Sequence, residues 1–130
     1  MNIPKELKYE KTDEWVKVED KTGTVGISDY AQEQLSDIVY VDITLSVGDK
    51  VKKGAVIATI ESVKAAADVN MPVSGTVLEV NTGLSDKPEQ VNTDPYGSAW
   101  MVKIQLDNPQ ELSTLMDGAA YEKFCAERAH

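Results

Sequence analysis

Lys64 stands in a short polar break between two apolar runs, a position that suits an amine presented for covalent modification. The runs are residues 55–60 before it and 74–78 after it, and both have the composition of strands. The neighbouring residues 65–67 are alanines, so a modifying enzyme can approach the amine closely. A lysine on a corner between two strands would anchor a carried group, and the chemistry would then belong to that group.

Other residue types that carry chemistry are scarce in this sequence, which has one cysteine, Cys125, and one histidine, His130. A single cysteine cannot form an internal disulfide, and this fits a reducing compartment. A nucleophile–histidine pair would have to use the last residue of the chain. No cluster of four Cys, His or carboxylate ligands suits zinc. Cys125 follows Phe124 in a helical pattern, which favours a buried and inert thiol.

Composition predicts one globular domain over residues 1–130, because 42% of the 130 residues are hydrophobic. The chain has 22 acidic and 13 basic residues, a net charge of −9, which disfavours nucleic acid and anionic membranes as partners. No apolar run approaches the roughly 20 residues of a membrane span. Residues 1–6 lack the features of a signal or transit peptide. We therefore expect a bacterial cytoplasmic protein, or a mitochondrial matrix protein if the sequence is a mature organellar form.

The elements that would position the lysine are mostly strands, since apolar residues recur at every second position. The predicted strands are residues 16–18, 24–27, 39–45, 55–60, 75–80 and 100–106. The first two are predicted to form a hairpin across the turn at residues 19–23. Val39, Val41, Ile43 and Leu45 are predicted to share the buried face of one strand. Ser28 is predicted to cap a helix over residues 29–35. Similar Gly turns on either side of Lys64 suggest two halves that pack as facing sheets joined at the Lys64 corner.

The pattern changes after residue 107, where a helical C-terminal extension is predicted over residues 108–130. Asn108 is a cap residue, Pro109 suits the first helical position, and Glu111 stands two residues further on. Asp117 is predicted to cap a second helix, in which Tyr121, Phe124 and Cys125 share one face. The chain is thus predicted to be β-rich at its centre, with short helices near the N-terminus and at the C-terminus.

Several segments together resemble a known family. Glu-Ser-Val-Lys-Ala at residues 61–65, then Asp68 and Pro-Val-Ser-Gly at residues 72–75, resemble the lipoyl-lysine segment of glycine cleavage system H proteins. Further similar segments are residues 12–16, 25–29, 37–41, 91–97 and 115–117, with Tyr9, Trp100 and Tyr121, so the likeness covers nearly the whole chain. Many members have histidine where this chain has Asp13 and Tyr30, which excludes a role for imidazole at those two positions.

The resemblance implies a mainly β fold, the flattened β-sandwich (hybrid barrel-sandwich) of lipoyl and biotinyl carriers. It implies lipoate in amide linkage on Lys64 and a monomeric, non-catalytic carrier of the glycine cleavage system. Such a carrier takes the aminomethyl group of glycine from glycine decarboxylase (P protein) to the aminomethyltransferase (T protein). It passes reducing equivalents to dihydrolipoyl dehydrogenase (L protein), and a lipoylating enzyme attaches the lipoate.

An aminomethyl group on sulfur is prone to hydrolysis, so a carrier gains by sheltering it from water. Its ammonium would then need acceptors, because a buried unpaired charge is costly. By resemblance, we expect Glu14 and Asp68 to be these acceptors in a cleft, with Thr12 assisting. Glu61 is expected to help the lipoylating enzyme recognise the lysine turn. The alternative for all four residues is that they are solvated surface groups.

Rival functions remain open at this point. A biotin carrier would have methionine on both sides of the lysine, whereas Val63 and Ala65 stand there. A lipoyl domain of a 2-oxoacid dehydrogenase usually has Asp-Lys-Ala at the turn and lies in a longer chain. A small hydrolase using paired carboxylates would lack a basic or imidazole partner for them. An interaction module with an unmodified lysine is the remaining alternative.

Overall fold

Two antiparallel sheets face each other in the computed structural model, which describes residues 1–128. Ala129 and His130 lie outside the described residues, and so does the expectation that concerned His130. The chain is mainly β, and the expected flattened sandwich with short helices is confirmed. No helix within residues 1–128 is long and apolar enough to cross a membrane.

The strands and helices follow the chain in simple order. The strands are β1 (Lys8–Tyr9), β2 (Glu14–Glu19), β3 (Thr22–Ile27), β4 (Ile38–Ile43), β5 (Lys50–Val51), β6 (Val56–Ser62), β7 (Ala66–Asn70), β8 (Gly75–Val80) and β9 (Val102–Leu106). The α-helices are α1 (Asp29–Leu35), α2 (Gln90–Thr93) and α3 (Gly118–Arg128), and two 3-10 helices span Thr82–Ser85 and Pro109–Thr114. The predicted hairpin at the N-terminus and the strand from Gly75 are therefore confirmed.

One sheet has six strands in the order β1-β2-β3-β9-β8-β5, and the other has three in the order β4-β6-β7. The inner faces bury a continuous apolar core in which Ile57, Ile60, Val73 and Ile104 are fully inaccessible to solvent. Burial of this apolar surface is the main stabilising term for a chain of this size. A second, aromatic cluster lies where α3 packs on β1, and its Tyr9 and Tyr121 rings stack 4.4 Å apart.

The prediction that the Lys64 corner joins two facing sheets is wrong. β6 and β7 pair with each other in the three-stranded sheet, so the corner is a hairpin within one sheet. It is also tighter than the polar segment suggested, because β6 runs through Ser62 and β7 begins at Ala66. Glu61 and Ala66 are cross-strand partners, so polar and small residues are part of the strands here. Lys64 therefore lies within two residues of both strands, which fix the position of its backbone.

The prediction that Val39 is buried is also wrong, because its side chain is 55% exposed. The pairing of β4 with β6 is irregular between Ile38 and Tyr40, where one extra residue is accommodated in a bulge. A bulge breaks the alternation of side chains between the two faces. Ile38 is consequently buried in place of Val39, and the alternation is regular again at Val41.

The predicted helix caps are confirmed. The Ser28 Oγ accepts from the backbone N–H of Ala31 at 3.2 Å at the start of α1. The Asp117 carboxylate accepts from the N–H of Ala120 at 2.8 Å at the start of α3. Glu111 behaves differently from a capping residue, because its carboxylate accepts from the N–H and the hydroxyl of Ser74 at 2.7 and 2.9 Å. That contact ties the C-terminal extension to the segment before β8.

Candidate functional site

The Lys64 side chain is exposed at the tip of the β6–β7 hairpin, and within residues 1–128 it makes no hydrogen bond or ion pair. The turn beneath it is ordered by Ser62, whose Oγ accepts from the N–H groups of Lys64 and Ala65 at 3.3 and 3.0 Å. The N–H of Val63 donates to the carbonyl of Asp37 at 3.0 Å, which ties the turn to the start of β4. An exposed amine on a turn that is fixed by hydrogen bonds is the arrangement that covalent attachment requires.

A cleft of about 160 Å³ lies beside this hairpin and contains three of the four predicted polar site residues. Its lining residues are Thr12, Asp13, Glu14, Ile27, Ala31, Gln34, Leu35, Ile60, Ala67, Asp68 and Val69. One wall is therefore formed by β6 and β7, and the others by the start of β2, the end of β3 and one face of α1. No lysine or arginine lines the cleft among the residues that the structure describes.

Glu14 is the buried charged group of this cleft, with 1% of its surface exposed. Its Oε1 accepts from the hydroxyl of Thr12, and its Oε2 accepts from the backbone N–H of Asn70 at 3.0 Å. Burial raises the pKa of the Glu14 carboxyl to about 7, although both hydrogen bonds act in the opposite direction. The carboxyl therefore changes protonation near neutral pH, and its charged form has no cationic partner among residues 1–128.

Asp68 lines the rim of the cleft, and its exposed carboxylate has no hydrogen-bond partner within residues 1–128. Side chains alternate along β7, so the carboxylate of Asp68 is directed away from the inner face on which its neighbour Val69 is buried. Backbone groups also alternate, and the N–H of Asn70 points to Glu14 at the unpaired edge of β7. The backbone carbonyl of Asp68 is thus expected to face the same edge, as an acceptor beside Glu14.

Glu61 lies on the exposed face of the hairpin, opposite Tyr40 on β4 and Ala66 on β7. It forms no ion pair with residues 1–128 and does not line the cleft. The structure thus separates Glu61 from the group formed by Thr12, Glu14 and Asp68. An exposed carboxylate three residues before Lys64 is available to an approaching enzyme.

The two residues that depart from the family pattern, Asp13 and Tyr30, both contact Arg128. Arg128 donates to both carboxylate oxygens of Asp13, at 2.6 and 3.2 Å, and its guanidinium lies 4.2 Å from the centre of the Tyr30 ring. The hydroxyl of Tyr121 also donates to Asp13, at 2.7 Å. Asp13 and Tyr30 therefore form a single cluster with the end of α3.

The stretch of residues 91–97 has a structural role around the cleft. The Asn92 side chain accepts from the N–H of Ile38 at 2.9 Å and donates to the carbonyl of Ser36 at 2.8 Å, which fixes the connection from α1 to β4. The Tyr96 hydroxyl accepts from the N–H of Asp29 at 2.9 Å. These contacts hold α1, one wall of the cleft, against the rest of the fold.

Sequence reasoning missed the apolar walls of the cleft and the role of Ser62 in the turn. Ala31, Gln34 and Leu35 do share one face of α1 at helical spacing, which was a usable signal. Nothing in the sequence indicated that Ile60 and Val69 would stand opposite that face. A larger depression of about 350 Å³ lies between Ile43 and Val80, but none of the described residues that line it has an ionisable side chain.

Comparison with known proteins gives the same family throughout. The family model described as "Glycine cleavage H-protein" matches residues 7–128. The glycine cleavage system H protein of Thermotoga maritima is 55% identical over 92% of this chain and 96% of its own length. That of Acinetobacter baumannii is 51% identical over 94% of this chain and 98% of its own.

A solved structure agrees with these relatives. The crystal structure of a glycine cleavage system H protein from Mycobacterium marinum superposes with a TM-score of 0.83 at 29% sequence identity. The superposition covers 98% of this chain and all of the other. A match of family model, sequence and fold over nearly the whole length means that the chain belongs to the glycine cleavage H-protein family.

Proposed function

We propose that the protein is the lipoyl-lysine carrier of a glycine cleavage system, with lipoate in amide linkage on Lys64. The observation that carries this proposal is Glu14, a buried carboxylate that has no cationic partner in the described part of the chain. It lies in a cleft walled by both strands of the Lys64 hairpin. An exposed lysine side chain beside a cleft that contains a buried carboxylate suits a protein that carries an amine. The names of the bacterial relatives add support, and they favour a place in the bacterial cytoplasm.

In this role the protein takes the aminomethyl group of glycine from glycine decarboxylase (P protein) to the aminomethyltransferase (T protein). It also delivers reducing equivalents to dihydrolipoyl dehydrogenase (L protein). Lipoate, when attached, supplies the arm and the dithiol on which this chemistry takes place. The protein itself acts as a substrate of the partner enzymes and is not a catalyst. The exposed Glu61 would contribute to recognition by the lipoylating enzyme.

The residues of the hairpin fit an alkyl arm rooted at Lys64. An extended chain spans at most about 3.3–3.6 Å per residue, so the Cα of Lys64 lies within about 11 Å of that of Ala67 and within about 14 Å of that of Asp68. An extended arm on the lysine side chain can span such distances. Apolar side chains of the cleft, among them Leu35, Ile60 and Val69, would cover its hydrocarbon part.

The polar residues of the cleft are suited to hold an ammonium away from water. The Glu14 carboxylate would accept a charge-assisted hydrogen bond, which is stronger than a neutral one. The hydroxyl of Thr12 donates to Glu14 and so fixes the direction of its carboxylate. Asp68 would add its backbone carbonyl at the rim. Exclusion of water by the apolar walls would slow hydrolysis of the cargo.

The test of this proposal is the intact mass of the protein made in a lipoate-competent cell. We expect an increase by one lipoyl group, and peptide mapping should place that increase on Lys64. Supply of both lipoate and biotin in the same culture separates the two carrier classes. A biotin increment, or an unmodified chain in a cell that lipoylates its other carriers, would refute the proposal.

A further inference from the structure

Asp13 lies between Thr12 and Glu14, the two residues of the cleft that bond each other, and its backbone is unusual. Its φ is +81°, in the left-handed region that side-chain-bearing residues seldom occupy. Aspartate adopts this region more readily than most residues, and at Asp13 the surrounding hydrogen bonds stabilise it. The direction of the backbone at Thr12 and Glu14, on either side of Asp13, therefore depends on the contacts of Asp13.

Those contacts come from three sides. The N–H of Asp13 donates to the carbonyl of Glu10, and the carbonyl of Asp13 accepts from the N–H of Ser28, both at 2.9 Å. Its carboxylate accepts from Tyr121 and, through two oxygens, from the guanidinium of Arg128. A two-point bond between a guanidinium and a carboxylate fixes orientation as well as distance.

Arg128 is itself held between two aromatic rings. Its guanidinium lies 4.2 Å from the ring centre of Tyr30 and 4.2 Å from that of Phe124. Tyr30 belongs to α1, one face of which lines the cleft, and the side chain of Tyr30 is buried. Arg128 thus contacts both Asp13, which precedes Glu14, and Tyr30 of α1, although it does not line the cleft itself.

We propose that Arg128 is a positioning residue of the cleft, which acts through Asp13 and Tyr30 to hold Thr12 and Glu14 in place for a cationic cargo. The inference rests on the proposed function, since it concerns the same cleft. It assigns to the end of α3 a part in retaining the cargo.

The ion pair also has an electrostatic effect on the cleft. Burial is the main cause of the raised pKa of Glu14, and the negative charge of Asp13 raises it further. Arg128 neutralises Asp13, at an N–O distance of 2.6 Å. Removal of the guanidinium would expose Glu14 to the full charge of its neighbour. The other carboxyl-bearing residues that line the cleft are Asp13 and Asp68.

The test is the titration of the Glu14 carboxyl, followed by 13C NMR in the unlipoylated full-length chain. We expect Arg128→Gln to move the midpoint upward by about one pH unit, the usual effect of an uncompensated neighbouring charge. Arg128→Lys, which keeps the charge and loses the two-point bond, should move it less. In the loaded protein, Arg128→Gln should speed loss of the aminomethyl group by about tenfold, as the loss of one well-made polar contact does.

Lys103→Gln is the matched control, because Lys103 pairs with Glu79 at 3.5 Å and lies 4.9 Å from the Trp100 ring, outside the cleft. It should leave both the midpoint and the release rate unchanged. Lower thermal stability in Arg128→Gln with an unmoved midpoint and release rate would overturn the inference and leave a purely structural role. If Arg128→Gln does not fold, Arg128→Lys decides by the same two readouts. Equal release from wild type and Glu14→Gln would refute the proposed role of Glu14 in holding the cargo, whereas the proposed function itself is tested by the mass measurement. The titration would test the effect of Arg128 in either case.

Discussion

Lys64→Arg is expected to abolish lipoylation and to reduce glycine cleavage, reconstituted with the P, T and L proteins, to the rate without any carrier. Arginine keeps the positive charge and the length of the side chain but offers no amine that can form the amide. The side chain is exposed, so its replacement should change the free energy of unfolding by no more than about 0.5 kcal/mol. The fold and the cleft should therefore survive while the function is lost.

Lys87→Arg is a suitable control, because Lys87 is also exposed but lies in the loop before α2. The Lys87→Arg protein should be lipoylated to the same extent as the wild type and should support the same rate of glycine cleavage. Substantial turnover by Lys64→Arg, or an acylated residue other than Lys64 in that variant, would contradict the assignment of the attachment site.

Glu14→Gln is expected to shorten the lifetime of the aminomethyl-loaded protein by about 10- to 150-fold at pH 8. A hydrogen bond to a charged group contributes about 1.5–3 kcal/mol, which corresponds to that range of rates. Glutamine fills the same volume and keeps the contact to Thr12, so the cleft should keep its shape. The release of labelled aminomethyl group, measured by NMR in the absence of the partner enzymes, gives the rate.

The same residue predicts a pH dependence of cargo retention. The pKa of Glu14 is about 7 before loading, so only the protein above pH 7 presents a full negative charge to the ammonium. The bound ammonium lowers the pKa of Glu14, so in the wild type we expect release to accelerate as the pH falls below about 7. In Glu14→Gln the profile should be flat over that range. Asp68→Asn should resemble the wild type, because the backbone carbonyl remains; a large effect there would mean that the Asp68 carboxylate is the acceptor.

Glu14 should also affect the stability of the unloaded protein. Its pKa is raised from 4.5 in the unfolded chain to about 7 in the fold, so the folded state retains the proton over that interval. The free energy of unfolding should therefore decrease as the pH rises from about 4.5 through 7, by roughly 3 kcal/mol in total. Glu14→Gln should lack this decrease, and urea unfolding at pH 5 and pH 8 would measure it.

The sequence predicted those parts of the fold that depend on local patterns. The cap at Ser28, the hairpin of β2 and β3 and the cap at Asp117 follow from residue type and spacing over a few positions. The Lys64 turn was predicted for the same reason. The pairing of β7 after this turn was not predicted, because its sequence Ala-Ala-Asp-Val-Asn has little apolar signal. The partner of such a strand depends on how the whole sheet assembles.

The site was predictable only in part, since it depends on distant segments. The resemblance named Thr12, Glu14 and Asp68, and the cleft brings all three together. The outward direction of the Asp68 side chain requires the register of β6 and β7, which alternation alone does not give. The contact of Arg128 with Asp13 joins residues 115 positions apart, and an arginine near the end of a helix carries no sign of such a partner.

The central claim is that the cleft beside the Lys64 hairpin shelters the cargo, and its most direct test is where the carried methylene group lies. Lipoylated protein loaded from 13C-labelled glycine can be examined by NMR for nuclear Overhauser effects between that methylene and the methyl groups of the protein. We predict contacts to Ile60 and Val69, which disappear in Glu14→Gln. A methylene without such contacts, as mobile as in a free peptide and released at the same rate in both proteins, would contradict the account.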